Sequence, residues 1–186
     1  MQTSIDQYKS IYLTGAISTL ILIGMILTDM IAGSILTGGD ISSLPQTAVE
    51  RYHEFQHNWV LGLYHLDFWN LLFQIVTIPS IFAVYMAHKK MDNGYALLAL
   101  IFFLIGSTIF IAGNTALPMF ELSKKYFLAA TDAQKELIAA AGEAMLAKGA
   151  HGSMGMFLGF AIPTFSAILI SYVILKERIF SRTTSY

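Results

Sequence analysis

Cysteine is absent from this 186-residue chain, which excludes disulfides and thiolate metal sites. Charge is nearly as scarce. Asp, Glu, Lys and Arg make up 12% of the residues against 55% hydrophobic ones, whereas a soluble domain carries about 25% charged residues. So few charges cannot clothe a water-soluble globule of this size. No basic tract occurs, and 11 Lys and Arg stand against 12 Asp and Glu, so nucleic acid is not an expected partner. A phosphate-binding glycine loop, a nucleophile elbow and a haem-attachment signature are all missing.

What the chain has instead is long apolar runs. Ile11–Ile31 carries one charge, Asp29, near its end; Trp59–Ala87 holds His65 and Asp67; Tyr95–Gly113 and Gly152–Leu175 hold none. A bilayer core of about 30 Å takes roughly 20 apolar residues of helix, and lipid offers no partner for open backbone groups, so such spans must be helical. The expectation is an all-α, integral membrane four-helix bundle forming a single domain. Its spans lie at about 11–32, 59–87, 95–117 and 152–175, with extracytoplasmic loops at 33–58 and 118–151 that carry amphipathic helices. The first run is longer than a signal-peptide core and lacks a small-x-small cleavage site after it, so it reads as a retained helix.

Four spans place both termini on one side. That side holds Lys9, Lys89, Lys90, Lys176, Arg178 and Arg182 in short flanks, while Arg51, Lys124, Lys125, Lys135 and Lys148 are spread over two longer loops. The density of Lys and Arg beside helix ends sets orientation, so both termini are expected in the cytoplasm. Trp59, Tyr12, Tyr85, Tyr95 and Tyr172 fall where interfacial aromatic belts lie.

Within the loops, a helical pattern starts near Thr47. Thr131 and Gln134 have capping-box spacing; Leu137, Ile138, Ala141 and Met145 then repeat at helical intervals, and Gly149 reads as a C′ stop. This second helix is expected to cover the bundle or to rest in the headgroups. The stretch Ala129–Gly149, AATDAQKELIAAAGEAMLAKG, resembles a segment common in uncharacterised bacterial multi-pass membrane proteins known as domains of unknown function. The resemblance covers this segment and the layout of spans. It implies a bacterial cytoplasmic membrane and transfers no catalytic residue. Such proteins often continue with further helices beyond the point corresponding to Lys176–Tyr186, which raises the prospect of a membrane partner subunit or a homo-oligomer.

A charge near the bilayer centre costs at least about 2.5–3.5 kcal/mol, so polar residues inside the runs need a reason. Tyr64, Asp67, Asn70 and Gln74 share one stripe of a continuous helix. Asp29, Asn114 and His151 fall at the same, outward end of the other spans. Together Asp29, Asp67, Asn70, Gln74, Asn114 and His151 make a candidate polar pocket open to the outside, for an ion, a proton or a small ligand. Interhelical hydrogen bonding, worth about 0.6 kcal/mol on average, is the plainer account of the same residues.

His53-Glu54-Phe55-Gln56-His57 matches H-E-x-x-H. On one helix face His53 and His57 could bind zinc, with Glu54 as the general base, as in zincin metallopeptidases. The metzincin continuation is absent, His65 fits poorly as a ligand if the helix runs on continuously from His57, and a third ligand would have to come from Glu121, Glu136, Glu143 or His151. The fourth run contains Gly155-x-x-x-Gly159, a close-packing motif. Pro79 and Pro163 each remove an intrahelical bond.

The reading these residues favour is a small multi-pass membrane protein, non-enzymatic, acting as an accessory, interaction or ligand-sensing subunit whose constant partner is the lipid bilayer. The alternatives are a zinc-dependent membrane hydrolase and a transporter or channel component.

Overall fold

The computed structural model describes residues 2–36, 44–89, 94–150 and 153–177. Among them the chain is helical throughout, without a strand: α1 (Gln2–Leu36), α2 (Ala48–His57), α3 (Trp59–His65), α4 (Phe68–His88), α5 (Tyr95–Gly113), α6 (Ala116–Leu128), α7 (Asp132–Gly149) and α8 (Met154–Glu177). Four stretches, one in each of the expected runs, are long and apolar enough to cross a membrane. The chain divides into two compact units, 1–26 with 73–109 and 159–186, and 27–72 with 110–158.

In the first unit, segments of α1, α4, α5 and α8 pack through small and hydroxylated residues. Proline at position 79 cannot donate to Ile75, which loosens the middle of α4. The polar groups there are met from α1: Ser18 Oγ donates to the Val76 carbonyl, Thr19 Oγ1 to Ser80 Oγ at 3.0 Å, and Ser80 Oγ to the Gly15 carbonyl at 3.3 Å. Gly15 permits this approach, since a Cβ there would run into Ala83. Gly106 of α5 does the same for the ring of Pro163 in α8. Ser107 Oγ donates to Gln74 Oε1 at 2.9 Å, and Ser166 Oγ to the Ala99 carbonyl at 2.7 Å. Hydroxyls satisfied in this way are the usual fasteners between apolar helices.

The second unit has its own core of Ala48, Tyr52, Phe55, Leu63, Leu66, Ala116, Met119 and Leu146. Helix α2 opens with a complete capping box, in which Thr47 Oγ1 accepts from Glu50 N and Glu50 Oε2 accepts from Thr47 N. At its other end Asn58 is extended (φ −150°) and serves two helices. Its N–H bonds to the Glu54 carbonyl, closing α2, and its Oδ1 accepts from Leu61 N at 3.2 Å, opening α3.

Several expectations change here. The run 59–87 is two helices, because Asp67 sits at φ +61°, a left-handed conformation that no helix continues and that Asp tolerates through its short polar side chain. The run 95–117 likewise ends at Gly113, and α6 starts after Asn114 and Thr115. Along α7 the buried residues are Gly142, Leu146 and Gly149, while Leu137 is 73% exposed and Ala141 is also exposed. Ile138 and Met145 pack against the core as the helical pattern implies, whereas Leu137 and Ala141 do not, and the inward face is completed by Gly142, Leu146 and Gly149. Small residues set it: a Cβ on Gly142 would run into Tyr52 and Ala48, and Tyr52 Oη donates to the Ile138 carbonyl at 2.9 Å. Gly149 is not a left-handed stop. It ends α7 before extended Ala150, and its missing side chain leaves room for the Gly113 carbonyl and Thr115.

Candidate functional site

The first candidate is the H-E-x-x-H stretch, which lies wholly on α2. His53 and His57 are exposed, and His53 packs edge-on against Phe127 at 5.1 Å between ring centroids. Glu54 turns the other way. Its Oε2 accepts from Arg51 Nη1 at 3.2 Å and its Oε1 from His65 Nδ1 at 2.6 Å. The three side chains are 8%, 10% and 6% exposed for Arg51, Glu54 and His65. Among the described residues no three His, Asp or Glu side chains gather where they could hold a metal. Glu121 pairs instead with Lys125 at 4.0 Å, and Glu143 Oε1 accepts from Ala48 N at 2.7 Å.

Sequence reasoning missed the Glu54–His65 pair because it treated the H-E-x-x-H helix and the following run as one helix. The chain breaks at Asn58, and the break brings His65 back onto Glu54. The signal was there: an Asn three residues before Leu61, between two apolar patterns, is an N-cap.

The second candidate is the set of polar residues inside the apolar runs. In the second unit, Tyr64 Oη donates to Asp29 Oδ1 at 3.0 Å, and Asn70 Nδ2 donates to Asp67 Oδ1 at 2.9 Å. Asn114, 8% exposed, donates to the Leu66 carbonyl at 3.1 Å and accepts from Ala116 N at 3.1 Å. Asp67, Asn70 and Asn114 thus meet at the break between α3 and α4, and Asp29 joins the neighbouring Tyr64. Gln74 belongs to the other unit, where Ser107 holds it. His151 lies outside the described residues. These contacts are those of chain breaks being stitched together, and the backbone groups they satisfy would otherwise be buried and unpaired.

Two titratable groups of α2 are displaced from their ordinary values. Burial pushes the Tyr52 hydroxyl up to about 12, with the negative charge of Glu143 and the Tyr126 hydroxyl adding to the effect. The backbone N–H groups of Thr47 and Gln46 hold the Glu50 carboxyl below its usual value.

The chain matches no protein-family model, no curated protein and no solved structure at a significant level. The class that the architecture defines is therefore structural: an all-helical chain with four helical stretches long and apolar enough to cross a membrane.

Proposed function

We propose that this chain is a multi-pass protein of the bacterial cytoplasmic membrane, with both termini in the cytoplasm, that acts as a non-enzymatic accessory, interaction or ligand-sensing subunit. The observation carrying the membrane reading is apolar exposure along the long helices. Leu20 is 69% exposed, Met30 65%, Phe165 62% and Ile168 60%. In water, fully covering such a side chain is worth about 1.5–3 kcal/mol, and lipid supplies that cover. With the four long apolar stretches in a bilayer, the density of Lys and Arg at Lys9, Lys89, Lys90 and Lys176 supports cytoplasmic termini and extracytoplasmic loops at 33–58 and 118–151. A homo-oligomer or a second membrane subunit is the expected partner.

The non-enzymatic reading is preferred over zinc hydrolysis because both Glu54 oxygens are engaged by Arg51 and His65. A metal-bound water would have to compete for a Glu54 carboxylate already accepting from two side chains. The polar residues around Asp67 support a sensing or anchoring role for the outer end of the bundle, in which Asp29, Asn70 and Asn114 hold the helix breaks in place.

The absence of cysteine gives a direct test. Gln2→Cys and Ala144→Cys each introduce a single thiol. An impermeant maleimide should label A144C in intact cells and Q2C only after permeabilisation, with both proteins in the membrane fraction. Labelling of Q2C in intact cells, or recovery of the protein in the soluble fraction, would refute the proposal.

A further inference from the structure

We propose that Trp59, Phe120 and Lys124 form a docking site for the headgroup of an anionic phospholipid of the outer leaflet. A bilayer core of about 30 Å takes roughly 20 residues of helix. The 21 residues of α4 and the 19 of α5 each supply that length. Yet the apolar stretch containing α5 runs on for 34 residues, Tyr95–Leu128, and takes in all of α6. That surplus has to lie where the hydrocarbon ends. Asn114, between α5 and α6, donates to the Leu66 carbonyl just ahead of α4, and α6 packs on α2 and α3. The start of α6 and the end of α3 are thereby held level with each other, at the outer rim of the two spans.

At that rim the second unit leaves apolar side chains uncovered. Helix α6 buries one face through Ala116, Met119 and Ser123. Leu117, Phe120, Lys124 and Leu128 share a neighbouring face at i, i+3, i+7 and i+11. Leu117 and Leu128 are more than half exposed, as are Trp59 and Val60 at the start of α3. Phe120 joins the two helices, its ring 6.2 Å from the Trp59 ring between centroids and 4.1 Å from Lys124 Nζ. An indole, apolar in body with one N–H, suits the layer between hydrocarbon and headgroups. Charge then selects the ligand. Lys125 is paired with Glu121 at 4.0 Å, whereas Lys124 meets no carboxylate among the described residues. Its ammonium attracts an anionic headgroup, while Trp59, Val60 and Leu117 take the glycerol and the first methylenes of the acyl chains. The proposal deepens the membrane reading, on which it rests.

The test uses the full chain in phosphatidylcholine vesicles, with W69F leaving Trp59 as the sole tryptophan. Trp59 emission should be quenched strongly by a lipid nitroxide near the glycerol, weakly by one at mid-chain, and hardly at all by acrylamide in the water. With the shallow nitroxide carried on phosphatidylglycerol in place of phosphatidylcholine, half-quenching should need about fivefold less labelled lipid, the factor expected of one Lys at an anionic surface. K124Q should remove that preference, and K125Q should keep it. If W69F does not insert, the same signals are read as the difference between wild type and W59F. Equal quenching by the two carriers overturns the site, and so does a preference that survives in K124Q. Trp59 reached by acrylamide also overturns it, as does Trp59 shielded from both quenchers, as a second copy of the chain would shield it. Maleimide labelling of Q2C and A144C reports separately on the membrane reading, so correct labelling beside a water-quenched Trp59 rejects this site alone.

Discussion

The Asn114 side chain donates to the Leu66 carbonyl at 3.1 Å while accepting from Ala116 N at 3.1 Å. One amide thereby fastens the break after α5 to the break before α4, two places where helix hydrogen bonding stops. Replacing it with Leu removes both bonds and strands a carbonyl and an N–H in a buried place. The expected loss is about 1–3 kcal/mol, read as a lower midpoint in chemical unfolding of the detergent-solubilised protein. Asn114→Asp keeps the acceptor and should fall between Leu and wild type.

Asp67 holds a left-handed backbone at φ +61° and accepts from Asn70. Asp67→Asn keeps both properties and is expected to stay near wild type. Asp67→Val adds a branched Cβ where the left-handed conformation costs roughly 1–2 kcal/mol, and it loses the Asn70 bond as well. If thermal unfolding ranks Val equal to Asn, the break is not where the residue does its work.

Gly142 lies against Tyr52 and Ala48 with no room for a Cβ. Gly142→Ala should cost about 1–3 kcal/mol through overpacking. Tyr52→Phe in the same chain removes the hydroxyl in the way, so the two changes should be less than additive in a double-mutant cycle. Leu137→Ser, on the exposed side of α7, should move stability by less than about 0.5 kcal/mol.

Glu50 has its carboxyl held below the ordinary value by the N–H groups of Thr47 and Gln46. A carboxyl lowered on folding stabilises the fold above its unfolded value, about 4.3, and that contribution fades as pH falls through the lower folded value. Capping of α2 should therefore weaken on acidification below about pH 5. Glu50→Gln should flatten this part of the pH profile of unfolding, and an unchanged profile would remove the capping box as its source.

Glu54 separates the two readings of the H-E-x-x-H stretch. Glu54→Ala strands Arg51 and His65 without their carboxylate, and loss of one member of a buried pair costs about 3–5 kcal/mol. His53→Ala and His57→Ala alter exposed side chains and should shift stability by about 0.5 kcal/mol or less. Stoichiometric zinc in the purified protein, lost in His57→Ala, would restore the hydrolase reading.

The long helices were legible because their signal is local. Uncharged runs such as Tyr95–Gly113 depend on no distant residue, and Thr131 with Gln134 marks the start of α7 by the same local chemistry. Thr131 Oγ1 accepts from Gln134 N at 3.3 Å, although Gln134 Oε1 reaches Ala130 N and not the N-cap's own N–H. The breaks inside the runs were harder to see. Asp67 and Asn114 look like polar intrusions in a continuous apolar pattern, and hydropathy does not register a left-handed residue or an amide that joins two chain breaks through one carbonyl and one N–H.

By itself the sequence determined that the chain is helical, that four stretches are apolar enough to cross a membrane, and that Thr131 caps α7. These follow from composition and from interactions within a few residues. Only the tertiary structure decided how the inward face of α7 is completed, since Gly142 and Gly149 join that face by letting backbone approach and hydrophobicity does not rank them. It also decided the partner of Glu54: two turns broken at Asn58 carry His65 back over α2, and a pairing across eleven residues depends on the angle of a chain break that no periodicity encodes.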